Sequence, residues 1–207
     1  MMLDVVWCVG TNLFCLFPVY LAYKKNLDEW LLYLTTAIAS MFYHLHHHNH
    51  YLEPACNFMN YEAIKMVDLV LSDMSVCWIT SCMTYKNIQN KMFFLFLPFN
   101  MYVVYMDLYH WRWILTGFWI TTSLLYVFIN IKNYNKKFLA WGMSCSILEL
   151  MFYEFLSSRY PWYYNWIHGT HHIFGFLGIY FYMRLNELEN LPTHKRITSR
   201  DSLALGL

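Results

Sequence analysis

Apolar residues along this chain gather into seven long runs, near 3–23, 27–47, 61–84, 92–109, 113–131, 138–156 and 164–183. Between them lie short polar punctuations: Lys24-Lys25-Asn26, Lys86 to Lys91, Lys132 to Lys137, and Ser157-Ser158-Arg159-Tyr160-Pro161. Crossing the hydrocarbon core of a bilayer takes about 20 predominantly apolar residues in a helix, and each run is close to that length. Lipid offers no partner to an open backbone, so a spanning segment is a helix unless it closes into a barrel. The pattern therefore predicts an all-α polytopic membrane protein, a seven-transmembrane helix bundle over residues 1–185 with a cytosolic tail at 186–207.

Composition points the same way. Of 207 residues, 58% are hydrophobic, 21% aromatic and only 13% charged, too apolar for an ordinary soluble domain and too short for a sizeable ectodomain beside seven spans. The formal charge of +1 argues neither for nor against a polyanionic partner, and no nucleic acid is expected. Its distribution is more informative. Lys24, Lys25, Lys86, Lys91, Lys132, Lys136, Lys137, Arg184, Lys195, Arg196 and Arg200 fall on one side of the predicted bundle, with Lys65, Arg112 and Arg159 on the other. Cytoplasmic loops collect Lys and Arg, which sets the amino terminus outside and the carboxyl terminus in the cytosol. The first apolar run follows no basic segment and precedes no small-residue cleavage site, so it reads as a retained signal anchor. The six cysteines show neither a zinc-ribbon pairing nor a disulfide framework and read as small lipid-facing or packing residues.

Ionisable residues inside such spans cost about 2.5–3.5 kcal/mol at the span centre and call for a functional hypothesis. His168 and His172 are four apart at the start of the seventh run, so both imidazoles project from one helix face. Ser40 and His44 repeat that spacing on the second run, and Asp68 opens the third with Ser72 a turn below. The predicted orientation brings Ser40, His44, Asp68, His168 and His172 all within about 10 Å of the outer boundary, at 1.5 Å rise per residue.

Three neutral imidazoles, His44, His168 and His172, with an exchangeable fourth position match a catalytic-type zinc site. Asp68 would hold a water or orient an imidazole, and Ser40 would donate to a developing oxyanion, catalytic roles that apply only if the protein is a hydrolase. An isolated H-x-x-x-H is weak evidence; the S-x-x-x-H pair, the acid and the shared depth strengthen it. Asp73 lies deeper and about 140° around its helix, which suits a bond to another helix. His46, His47, His48 and His50 read as an outer loop, His171 as packing, and the aromatics Tyr160, Trp162, Tyr163, Tyr164 and Trp166 as an interfacial belt. Glu149 and Glu154 suit either a cavity or a helix interface.

Ser40-Met41-Phe42-Tyr43-His44, an aspartate early in the third run and His168 to His172 early in the seventh resemble the signature of a membrane hydrolase superfamily. That superfamily includes alkaline ceramidases, adiponectin and progestin receptors and the transmembrane-protein-8 group. Tyr109-His110-Trp111-Arg112-Trp113 is similar to a Tyr-His-x-Arg-Trp segment between the fourth and fifth spans of that group.

The resemblance covers about residues 3–188 and is strongest to the branch required for myoblast fusion, whose members, like this chain, are almost only membrane core. It implies Zn2+ on His44, His168 and His172, with Asp68 and Ser40 as the nearby acid and hydroxyl. It further implies plasma-membrane residence with a Golgi or secretory pool, contact with membrane lipids, a homodimer, and a second fusogenic protein as partner. Two functions follow, cell–cell fusion first and zinc-dependent lipid hydrolysis second, with an adiponectin-receptor-like role third. The tail departs from the vertebrate pattern, since residues 186–207 hold no cysteine for acylation.

Overall fold

The computed structural model describes residues 2–25, 29–49, 61–81, 97–106 and 109–185. Every element among them is helical, and no strand occurs among the described residues. Helix α1 runs through Met2–Gly10, a 3-10 stretch at Thr11–Cys15 and Leu16–Lys24. Then come α2 (Glu29–Asn49), α3 (Tyr61–Ser81), α4 (97–105) and α5 (Tyr109–Ile129). Helix α6 is α-helical over Lys136–Leu150, π-helical over Met151–Leu156 and α-helical again over Ser157–Arg159. A 3-10 turn at Pro161–Tyr163 leads into α7 (Tyr164–Tyr182).

Among the described residues, two helices are long and apolar enough to cross a membrane, Val6–Lys24 and Lys136–Arg159. The 3-10 stretch inside the first has a local cause. Pro18 has no amide hydrogen, and its ring crowds the carbonyl of Phe14, so the turn before it tightens to i→i+3 bonds.

Helix boundaries differ from the apolar runs in two informative places. The segment Tyr109 to Trp113, expected as a connector, is instead the first turn of α5. It holds neither Gly nor Pro, and nothing in it stops a helix. Likewise α2 continues to Asn49, so His46, His47 and His48 are helical rather than loop. His50, the connector 86–91, Cys56, Cys82 and the tail 186–207 lie outside the described residues.

Helix α7 is the hub: it packs along α6 and α1 and touches α3, while α2 packs between α1 and α3, and α5 lies against α3. The α6–α7 contact is close because small residues face each other. A Cβ on Gly142 would stand 2.7 Å from the Tyr182 ring, and Gly178 rests near Cys145, Ser146 and Gly142. Small residues let helix backbones approach, which is how helices associate where apolar surface alone gives no preference. The Ser146 and Tyr182 hydroxyls, 3.1 Å apart, tie the same two helices.

Two apolar clusters fill the interior. One joins Cys15, Tyr33, Ala37, Ile79, Phe176 and Ile179 from α1, α2, α3 and α7. The other gathers Val127, Tyr134, Leu139 and Leu185 where α5 ends and α6 begins. Cys8, Cys15, Cys77 and Cys145 are buried and form no disulfide among the described residues, which for these four fits the packing alternative rather than the lipid-facing one.

Candidate metal centre

His168 and His172 sit one turn apart in the first half of α7, and His44 sits in the last turns of α2. All three are nearly inaccessible, at 7%, 8% and 1% exposure. Ring centroids are 4.7 Å apart for His44 and His168, 5.0 Å for His44 and His172, and 4.9 Å for His168 and His172. One nitrogen from each lies within 4.8 Å of the others, a group able to hold a metal ion. Two nitrogens on a tetrahedral ion at about 2.0–2.1 Å are about 3.3 Å apart, so ring rotations of about an ångström close the set. The donors fit a metal in another respect: Nδ1 of His172 is buried with no hydrogen-bond partner among the described residues. Buried imidazole nitrogens normally find a partner, and an orphan calls for an ion or water.

The backbone explains why these rings meet. Gly169 follows His168, and a Cβ there would stand 2.6 Å from Trp7 Cδ1 and 3.2 Å from Thr11 Oγ1. Glycine therefore lets α1 press against the start of α7, where Trp7 Nε1 donates to the Trp166 carbonyl at 3.2 Å. Helix α2 reaches the site from its seat between α1 and α3, held to α3 by Thr36 Oγ1 and Ser75 Oγ at 2.8 Å. Tyr33 and Ala37 of α2 meet Phe176 and Ile179 of α7 in the apolar cluster, so the imidazoles stand above an oily floor.

The other expected site residues border this cluster without joining it. Ser40, one turn before His44, is buried at 6% exposure. Asp68 is partly buried with Oδ1 fully covered, and it acts electrostatically on Cys8, Tyr43 and Tyr164 around the site. Asp73 is buried, deeper along α3. His171 turns to α6, its Nδ1 3.8 Å from Glu149 Oε1. Glu149 thus belongs to a helix interface, pressed against Gly175 where a Cβ would meet Oε1 at 3.0 Å, while Glu154 is exposed.

Tyrosines are the residues that pattern reading missed. Tyr164, expected in an interfacial belt, stacks on His168 at 5.1 Å and 21°. Tyr43 meets His44 edge-on at 5.0 Å, and its hydroxyl lies 3.4 Å from that of Tyr61. Tyr153 approaches His168 and His171 at 5.9 and 4.8 Å. Only one signal in the sequence foretold this: Tyr164 lies four residues before His168 and Tyr43 adjoins His44. Tyr160, Trp162, Tyr163 and Trp166, by contrast, are exposed, as a belt requires.

Residues 1–173 match the model of a family described as protein of unknown function (DUF3522), a stretch that takes in His44, Asp68, His168 and His172. No curated protein matches the chain.

Proposed function

The chain belongs to the DUF3522 family, described as of unknown function, and from that footing we propose that it is a seven-pass plasma-membrane protein acting as a myomaker-like fusogen between cells. In this reading the amino terminus is outside, as the Lys and Arg distribution requires, and a zinc ion sits on His44, His168 and His172. The observation that carries it is the convergence of three buried imidazoles from two separate helices. Imidazole suits several transition metals, and a three-histidine set with an open fourth position favours zinc. The ion staples α2 to α7 beneath the exposed aromatic rim of Tyr160, Trp162, Tyr163 and Trp166. That rim is the part able to disturb the outer leaflet, and membrane lipids, a second copy of the chain and a second fusogenic protein are its proposed partners. Expression in non-fusing fibroblasts tests this: multinucleate cells are expected with the wild-type chain and not with His44→Ala. Mononucleate cultures despite surface delivery would overturn the role.

A second reading, a zinc-dependent lipid amidase or esterase, is favoured by one specific feature. Three histidines and no carboxylate make up the ligand group among the described residues, which leaves a coordination position free. Zinc so held supplies a Lewis acid and lowers the pKa of a bound water toward neutrality. Asp68 would orient and accept the proton of that water, while Ser40 would donate to the carbonyl oxygen. Purified protein given labelled ceramides and phospholipids should release fatty acid, and Asp68→Asn should stop release while sparing the metal. Metal-loaded protein that turns over neither lipid class would leave the ion structural.

A further inference from the structure

Helix α6 is regular from Lys136 to Leu150 and then widens into six π-helical residues, Met151–Leu156, before closing as α-helix again. No proline or glycine lies in Met151-Phe152-Tyr153-Glu154-Phe155-Leu156 to force this. Side chains nearby support it. The Ser157 hydroxyl donates to the Tyr153 carbonyl, and Ser158 Oγ donates to the Glu154 and Phe155 carbonyls at 2.7 and 3.1 Å. Such local bonds compete with the ordinary helix ladder. Widened turns of this kind cluster at functional sites because they re-aim the side chains within them.

The side chain re-aimed here is Tyr153. Its neighbours in the widened turn, Glu154 and Phe155, are exposed, whereas Tyr153 turns inward against α7. Its ring stands 4.8 Å from His171 and 5.9 Å from His168, and Tyr164 stacks on His168 at 5.1 Å. Tyr153 and Tyr164 are also near enough to interact electrostatically. One turn earlier on α6, Glu149 engages His171 at 3.8 Å, so α6 grips α7 at the level of the histidine pair.

We propose that Tyr153, set by the π-helical segment of α6, is a positioning residue of the metal centre, acting with Tyr164 to hold the His168 imidazole in the orientation that binds an ion. The role rests on the metal reading above. Its basis is steric: a ring packed against two tyrosines is restricted in the nitrogen it presents to the ion, and groups that orient ligands from outside change metal affinity by about 10–100-fold.

The test uses full-length protein in nanodiscs, titrated with cobalt(II), whose visible absorption bands report ligand geometry. Tyr153→Ala should weaken cobalt binding by about 10–100-fold and shift the bands. Tyr153→Phe, which keeps the ring, should restore both, and Phe155→Ala, on the exposed side of the same turn, should change neither. If Tyr153→Ala does not fold, Tyr153→Leu, which keeps bulk without a flat ring, should show the same loss. Wild-type affinity and bands in a folded Ala or Leu variant would overturn the role while leaving the metal reading intact. Absence of cobalt binding by the wild-type protein would overturn the metal reading and this role together.

Discussion

Where α6 begins, polar groups satisfy one another. Asn135 Oδ1 accepts from the Lys137 and Phe138 amides, the Asn135 amide donates to the Leu185 carbonyl at 2.8 Å, and Lys25 Nζ donates to the Met183 carbonyl at 3.0 Å. Arg184 lies 4.2 Å over the Phe138 ring and reaches the Tyr180 hydroxyl. At the other end of α7, three imidazoles crowd within ring-contact distance, and His172 Nδ1 has no hydrogen-bond partner among the described residues. Both ends are buried and both join several helices. One is a structural knot of matched donors and acceptors; the other gathers three imidazoles able to hold a metal ion. A buried polar atom left without a partner costs free energy, and His172 Nδ1 beside two further buried imidazoles marks a place able to hold an ion.

The largest effect that separates the two ends should come from the histidines. Alanine at His44, His168 or His172 is expected to weaken zinc affinity beyond the about 100-fold that loss of an outer group brings, so that elemental analysis finds the purified variants depleted of zinc. Acid should do the same to the wild-type chain, because protons compete with metal for imidazole, so zinc retention should fall as pH falls. Zinc content that survives these substitutions would erase the distinction.

Next in size are two glycines that let helices touch. Gly169→Ala and Gly142→Ala each force a methyl to within 2.7 Å of an aromatic ring, and overpacking of this kind costs about 1–3 kcal/mol. Thermal unfolding in detergent should register both. Zinc content should fall only for Gly169→Ala, since Gly169 adjoins His168 whereas Gly142 faces Tyr182 at the other end of α7. Equal zinc in both variants would show that the site tolerates that shift.

The smallest effect belongs to the knot. Asn135→Ala removes the cap of α6 and should cost about 0.5–2 kcal/mol, with zinc content unchanged. A loss of zinc there would mean that the two ends are coupled along α6 and α7.

The helical character of the chain was legible, and the described parts of the apolar runs are almost entirely helix, because hydrophobic length is a property of consecutive residues. Boundaries were less legible. Tyr109 to Trp113 and His46 to His48 look polar or mixed, yet each continues a helix whose neighbouring residues already favour it. The pairing of His168 with His172 was readable from their spacing alone, and Ser40 with His44 likewise. The tyrosines escaped, since an aromatic at a span end has the same appearance whether it meets lipid headgroups or an imidazole.

Sequence by itself determined where the helices lie, which residues share a face, and that histidines occur among apolar neighbours where they are costly. Those properties repeat with the helix period and need no knowledge of other helices. Only the tertiary structure decided that α2 delivers His44 to the α7 pair, that Gly169 admits Trp7, and that a widened turn aims Tyr153 at His168. These depend on contacts between segments distant along the chain, and on a departure from the regular helix that no local periodicity encodes.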